Sequence, residues 1–379
     1  MKRGVTQKEI ARRLGVSQAL VSRALTGTSG DIAASPVTVE KIRKMAAEWN
    51  YSPNAAALTL KGAPTRTLAV IIKNFDDPFF GRMIRIFQGL AREQGYALLL
   101  VGWEEGNPSL TDETVLRKYQ PDGLIVCGSD YGPPAVKSFL DEGKRVVQIG
   151  LGRVMPGVRQ VVVDEAAGLQ RLVEFLLGQG HVRIGYIGDS SLPQLRRESL
   201  LQASLRAKKL KIHPEWFVRL ASSSVDSVNA AVRTLLAPGD GGVPSVVIAA
   251  DDSMAQQVMR AFYEHGVRVP WDISLAGIDD IPASSTMIPA LTSVCQPMAE
   301  MVRQAWRLVT GEGCGEANPL VIAPSLSVRE SCAAPGAGRL ESKVVCKVGV
   351  KQGTEQSRSG QKKGSYEDIN NAGKCSGKF

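Results

Sequence analysis

Apolar positions at the start of the chain recur with helical spacing. Ile10, Ala11 and Leu14 share one face of a short helix, and Leu20, Val21, Ala24 and Leu25 share one face of the next. Thr6-Gln7-Lys8-Glu9 opens the first as a capping box, in which hydroxyl and carboxylate each reach the other residue's free amide. Gly15 tolerates the left-handed conformation that ends that helix, and Ser17 caps the second. A third helix is predicted from Ser35-Pro36, with Val39, Ile42, Met45, Ala46 and Trp49 inward. Asn54 and the alanine run to Leu60 suit a further short helix that Gly62 stops. A helix that short needs a partner helix or DNA to persist.

Beyond a Gly/Pro break at 62–66 the period changes. Short apolar runs, among them Leu68–Ile72, Ala97–Val101, Gly123–Cys127, Val146–Ile149 and Val161–Val163, alternate with helical segments such as Ile84–Gln94. Ile184–Ile187, Ser245–Ile248 and Ile273–Gly277 continue the series. Continuous apolar strands between helices predict parallel sheets covered on both faces. Such a stretch is long for one open sheet, so two lobes are expected.

Charge sharpens this division. The chain has 379 residues and a formal net charge of +9. Residues 1–66 hold 11 Lys+Arg against 4 Asp+Glu, residues 67–331 hold 26 against 29, and residues 332–379 hold 9 against 4. A basic module thus precedes a slightly acidic body. Two short helices joined through glycine form a helix-turn-helix pattern, and Gln18, Ala19, Ser22 and Arg23 are left on the outer face of the second. A helix fits the major groove, where Gln and Arg read base edges and Ala can touch a thymine methyl. A helical hairpin serving only as core is the plainer alternative.

No run of 18 or more apolar residues is present, and the first residues carry no apolar stretch of the kind a secretory signal needs. The six cysteines form no C-x-x-C pair, so reduced thiols are expected rather than a zinc site. There is no G-x-x-x-x-G-K-[ST], H-E-x-x-H or G-x-S-x-G, and neither cofactor nor enzymatic activity is expected.

The run Val5-Thr6…Ile10-Ala11…Leu14-Gly15-Val16-Ser17…Val21-Ser22-Arg23-Ala24-Leu25, with Tyr51-Ser52-Pro53-Asn54, resembles the lactose-repressor family of bacterial transcription regulators. The resemblance continues through Asn74–Phe80, Gly180–Gly185, Ala249–Ala255, Gly277–Pro282 and Pro289–Val294, and stops near Ser331. It implies an all-α helix-turn-helix headpiece at 1–52 and a hinge helix and linker at 53–66. A two-lobed α/β core with parallel sheets, like a periplasmic binding protein, follows at 67–331 and serves for effector binding and dimerisation. Residues 332–379 are read as a disordered basic tail. One departure is the link Thr28–Ser35, longer than usual and read as a surface insertion, with a loop that touches phosphates as the alternative.

The resemblance implies DNA contacts from Thr6, Ser17, Gln18, Ala19, Ser22, Arg23, Asn54, Ala57 and Leu60. Leu60 takes the place of a leucine wedged into the minor groove by paired hinge helices, with ordinary helix packing as its alternative. For the effector it implies Asp77, Phe79, Arg197, Asp251 and Asp279, several at the carboxyl ends of strands, where ligands bind such sheets. Carboxylates accept hydroxyl hydrogen bonds, and the planar fork of Arg197 can donate to sugar oxygens. Asp77-Pro78 also suits a turn, Asp280 a helix cap, Asp252 a first-turn position and His181 a structural role. Asp251 stands where the family usually has Asn, and Arg197-Glu198-Ser199 lacks the usual glycine–aromatic pair. The ligand is therefore expected to differ from a simple neutral hexose.

The expected function is a cytoplasmic, nucleoid-associated, homodimeric regulator, most simply a repressor of carbohydrate-metabolism genes. It would bind a pseudo-palindromic double-stranded operator in response to a sugar or sugar derivative, with no membrane partner. The alternative is a soluble sugar-binding protein with a vestigial DNA-binding module.

Overall fold

The computed structural model describes residues 5–26, 34–52, 64–102, 113–128, 133–151, 155–222, 224–237, 241–313 and 318–336. Three helices come first: α1 (Gln7–Leu14), α2 (Gln18–Thr26) and α3 (Pro36–Glu48). The capping box forms, with Glu9 N donating to Thr6 Oγ1 at 3.3 Å and Thr6 N donating to Glu9 Oε2 at 2.7 Å. Gly15 adopts φ +66° and closes α1. Ser17 and Ser35 cap the next two helices, accepting from Leu20 N at 3.1 Å and Thr38 N at 3.2 Å. Ile10, Val21 and Ile42 are fully buried among Ala11, Ala24 and Ala46. Each of the three large side chains contributes about 1.5–3 kcal/mol on burial, which holds together helices too short to persist alone.

The body contains, in chain order, β1 (Thr67–Ile72), α4 (Pro78–Gln94), β2 (Ala97–Gly102), α5 (Glu113–Tyr119), β3 (Gly123–Cys127), α6 (Pro133–Asp141), β4 (Arg145–Ile149) and β5 (Arg159–Val163). Next come α7 (Glu165–Gly178), β6 (Ile184–Asp189), α8 (Leu192–Ala207), β7 (Phe217–Leu220), α9 (Val225–Leu236), β8 (Val246–Ala249), α10 (Asp252–Glu264) and β9 (Ser274–Asp279). The last described elements are β10 (Thr292–Cys295), α11 (Met298–Thr310), β11 (Leu320–Ile322) and β12 (Ser325–Ser327).

The strands form two sheets, ordered β11-β5-β4-β3-β1-β2 and β12-β10-β9-β8-β6-β7. The first is parallel throughout. The second is parallel except for β12, which runs antiparallel to β10, a departure from the wholly parallel expectation. Both faces of the first sheet are covered, which explains its uninterrupted apolar strands. Leu68, Val70 and Ile72 pack with Met83 and Phe87 of α4 and Val302 and Trp306 of α11. Ala69 and Ile71 pack with Leu116 of α5 and Phe139 of α6. In the second lobe Val247 and Leu275 lie with residues of α9 and α10, while Tyr186 and Ile248 lie with residues of α7 and α8.

The chain passes between the lobes three times: from β5 into α7, from β10 into α11, and from β11 into β12. The body also runs past the boundary expected at Ser331. Ala333 N donates to Ser274 Oγ, and Ala333 O receives the buried His181 Nε2 at 2.9 Å. His181 Nδ1 meets Ser245 Oγ at 2.9 Å, so this histidine is structural, and burial holds its pKa below the ordinary value. The rest of the expected tail, from 337 onward, lies outside the described residues.

Candidate functional site

The carboxyl ends of the strands in both lobes surround a cavity of about 490 Å³. All five residues expected to meet an effector line it: Asp77, Phe79, Arg197, Asp251 and Asp279. That volume lies within the range of small-molecule sites, roughly 300–1,000 Å³.

Arg197 is central. It projects from α8, and only 9% of its side chain is exposed. Its Nε donates to Glu165 Oε1 at 2.9 Å, its Nη1 to the Ala250 carbonyl at 2.7 Å and its Nη2 to Asp279 Oδ1 at 3.1 Å. The guanidinium is thus largely engaged by the protein, and less of its fork faces the cavity than the sequence suggested. Burial opposes its charge, but Asp279 and Glu165 more than restore it, and the pKa lies above the ordinary value.

Asp279 ends β9 with φ +114°, and Asp280 follows with φ +53°. Consecutive non-glycine residues in this region store local strain, as is common at ligand sites. Asp279 also accepts from Gln296 Nε2 at 2.5 Å. Burial drives its carboxyl well above the usual range against the pull of Arg197, with Asp251, Asp252 and Asp77 pushing the same way. Asp280 is no helix cap, contrary to expectation. It pairs with Arg329 at 2.6 Å and accepts from Ser327 at 2.8 Å, because the left-handed backbone turns it away from the helical turn at 282–285.

Asp251 follows β8 and caps α10, accepting from Met254 N at 2.7 Å. Its other oxygen receives Gln194 Nε2 at 2.8 Å. Burial is the main reason that its pKa is raised. Asp252 begins α10 as expected, but it does more than meet the helix dipole. Its buried carboxylate accepts from Ile281 N, Ser284 Oγ and Ser293 Oγ, and burial outweighs these donors to raise its pKa to about 6. Asp77 caps α4 by accepting from Phe79 N at 2.9 Å, so the turn reading and the cavity reading both hold for it. Phe79 and Phe80 meet edge to face with centroids 5.4 Å apart.

Glu165, Gln194, Gln296, Asp189 and Lys73 also line the cavity and escaped sequence reasoning. Glu165 and Gln296 each sit just after a strand, at a crossing between lobes, a signal that could have found them.

In the three-helix unit Thr6, Ser17, Gln18, Ala19 and Arg23 are exposed, while Ser22 is half-buried. Gln18, Ala19 and Ser22 fall on the first turns of α2, with Ser17 as its cap. Asn54, Ala57 and Leu60 lie outside the described residues.

Residues 6–54 match the model of "Bacterial regulatory proteins, lacI family", and residues 173–332 match a "Periplasmic binding protein-like domain". The "HTH-type transcriptional regulator GalS" of Salmonella typhimurium is 29% identical over 317 residues, covering 82% of this chain and 91% of the relative. An "HTH-type transcriptional repressor PurR" of Haemophilus influenzae is 28% identical over 340 residues, covering 86% and 98%. The fold is also that of the lac repressor dimer bound to operator and the anti-inducer ONPF, with TM-score 0.73, 23% identity, and 88% and 100% coverage.

Proposed function

The chain belongs to the lactose-repressor family of bacterial regulatory proteins, and from this we propose that it is a sequence-specific repressor of carbohydrate-metabolism genes whose hold on DNA is set by a sugar-like molecule between its lobes. One observation carries the reading. A capped helix-turn-helix with Gln18, Ala19 and Arg23 exposed shares one chain with two lobes that enclose a polar cavity.

Gln18 and Arg23 hydrogen-bond base edges in the major groove, Ala19 meets a thymine methyl, and Thr6, Ser17 and Ser22 position the backbone phosphates. Two copies of the chain place two such helices on successive half-sites of a pseudo-palindrome, about one helical turn apart. Asn54, Ala57 and Leu60 form the hinge segment, with Leu60 as a minor-groove wedge. The domain limits are 1–52, 53–66 and a core from 67. The protein works in the cytoplasm on nucleoid DNA, and among the described residues no helix is long and apolar enough to cross a membrane.

The ligand meets Asp77, Phe79, Arg197, Asp251 and Asp279. It changes operator affinity only as far as it binds the two lobe arrangements unequally, which is thermodynamic linkage rather than turnover. The regulator relatives support a binding role in place of catalysis.

The test selects an operator from random DNA and then titrates it by fluorescence anisotropy at two salt concentrations. Nanomolar-range binding that falls steeply with salt and fails on scrambled sequence is expected. Binding indifferent to sequence and salt refutes the proposal.

A further inference from the structure

The cavity is rich in acceptors and in negative charge. Among the described lining residues six carry carboxylates, namely Asp76, Asp77, Glu165, Asp189, Asp251 and Asp279, against the two cations Lys73 and Arg197. The Arg197 charge is already divided between Glu165 and Asp279. A second observation points the same way. Gln257 also lines the cavity, and its Oε1 is buried without a hydrogen-bond donor. A buried acceptor left unpaired costs about 1–3 kcal/mol, which adds to the excess of acceptors over donors in this wall.

The fold does not require the charge of Asp251. Its structural task is to cap α10, and Asn or Ser caps a helix equally well. Its second oxygen receives Gln194, whose own Oε1 accepts from Asp189 N and is thereby oriented. A carboxylate therefore stands half-buried in the wall, beside Asp77 and Asp279, with the Arg197 charge acting on it only from a distance and no cation hydrogen-bonded to either of its oxygens. Buried charge of one sign is stabilised by a counter-charge.

Metal geometry does not answer this need. Among the described residues no three His, Cys, Asp or Glu side chains come together to hold a metal ion. The carboxylates are spread around a cavity of small-molecule size, with Phe79 offering an aromatic face. The counter-charge has to sit on a scaffold several ångströms across that also presents many donors.

We infer that the cleft takes a cationic, polyhydroxylated ligand, an amine-bearing sugar being the simplest member of the class. This rests on the reading of the cleft as the effector site and narrows its ligand. The ammonium meets the Asp251 side of the cavity, hydroxyl groups donate to the remaining carboxylates, and an apolar ring face lies on Phe79. A phosphorylated sugar is repelled by the same carboxylates.

The experiment uses the full chain in thermal-shift and calorimetric titrations against matched sets: glucosamine, galactosamine and mannosamine, their parent hexoses, their N-acetyl derivatives and the hexose 6-phosphates. At least one amine should bind about tenfold or more tightly than both its parent and its neutral N-acetyl form, while the phosphates do not bind. Asp251→Asn keeps the cap and should shrink that preference about tenfold through weaker amine binding, without matching loss for the neutral parent. Its unliganded melting midpoint checks that it folds.

Tighter binding by a parent hexose or a phosphate overturns the inference. So does an unchanged preference in Asp251→Asn, and so does the absence of binding by every amine. Operator binding by the same preparation is measured alongside. Retained operator binding with a failed amine preference rejects the ligand class alone, whereas lost operator binding rejects the regulator reading itself.

Discussion

Replacing Arg197 with Met keeps most of the side-chain volume and removes the charge at the heart of the cavity. The loss is that of two hydrogen bonds to carboxylates, at 2.9 and 3.1 Å, and one to a carbonyl at 2.7 Å. Bonds to charged groups contribute about 1.5–3 kcal/mol each, but the larger effect is the stranded carboxylate. Breaking a buried ion pair by removing one partner costs about 3–5 kcal/mol, and the Arg197 side chain, 9% exposed, is buried enough for water to screen it little. At pH 7 the variant should therefore lose about 3–5 kcal/mol in urea unfolding, followed by the fluorescence of the buried Trp216 and Trp306 in the two lobes. The sign of the pH dependence follows. Without Arg197 the Asp279 pKa in the folded state rises further above its unfolded value, so the folded state binds the extra proton. Stability is then retained at acid pH and lost as pH rises, and the penalty at pH 5 should be smaller than at pH 7. Adding Asp279→Asn to the same chain removes a stranded charge and should recover part of the loss. A penalty under about 1 kcal/mol, equal at both pH values, would refute the assignment of Arg197 as the charge that holds this cluster together.

Three other outcomes are expected. Asp252 has its folded pKa raised to about 6, so its contribution is fully present below the unfolded value of 3.8 and disappears as pH climbs through 6, a decline of about 3 kcal/mol by pH 7. Asp252→Asn should flatten the stability profile between pH 4 and 7 by about that amount, and parallel profiles would contradict it. Gly277→Ala places a methyl group against the Asp252 carboxylate and Leu291, and should cost about 1–3 kcal/mol, read from the unfolding midpoint. Gln18→Ala should weaken operator binding by about 1–3 kcal/mol and relax selectivity at one base pair while leaving the salt slope unchanged. A uniform loss across all operator variants would instead make Gln18 a phosphate contact.

Much of this was legible because it is local. Thr6, Glu9 and Gly15 define α1 through contacts three or four residues apart, and the structure realises each of them. Gly123–Cys127 is apolar at every position because helices cover both faces of its sheet, so composition alone marked the strand. Strands β7, β10, β11 and β12 passed unnoticed. They are three or four residues long, lie at or next to a sheet edge, and carry partly exposed residues, so no periodicity separates them from loops. Asp280 was misread for a related reason. Its conformation answers to Arg329, 49 positions away, and no pattern within the local sequence encodes that partner.

The cavity residues divide along the same line, and the division bears on how the protein works. Asp251 and Asp77 were visible because each follows an apolar strand, at the place where the family resemblance implies an effector contact. Glu165, Gln194 and Gln296 were not, because each matters through a partner at 17 or more positions' distance: Arg197, Asp251 or Asp279. Two of the three, Glu165 and Gln296, are placed where the chain changes lobe. Glu165 opens α7 directly after the first crossing, and Gln296 lies on the second, between β10 and α11. Arg197 and Asp279 belong to the second lobe and reach both crossings through side chains. On the proposed reading, a ligand in the cavity meets Asp279, whose carboxylate also holds Gln296 at the second crossing. Under that proposal occupancy need not travel through a long relay to alter the lobe arrangement, since Arg197 and Asp279 are already bonded to Glu165 and Gln296 at two of the crossings.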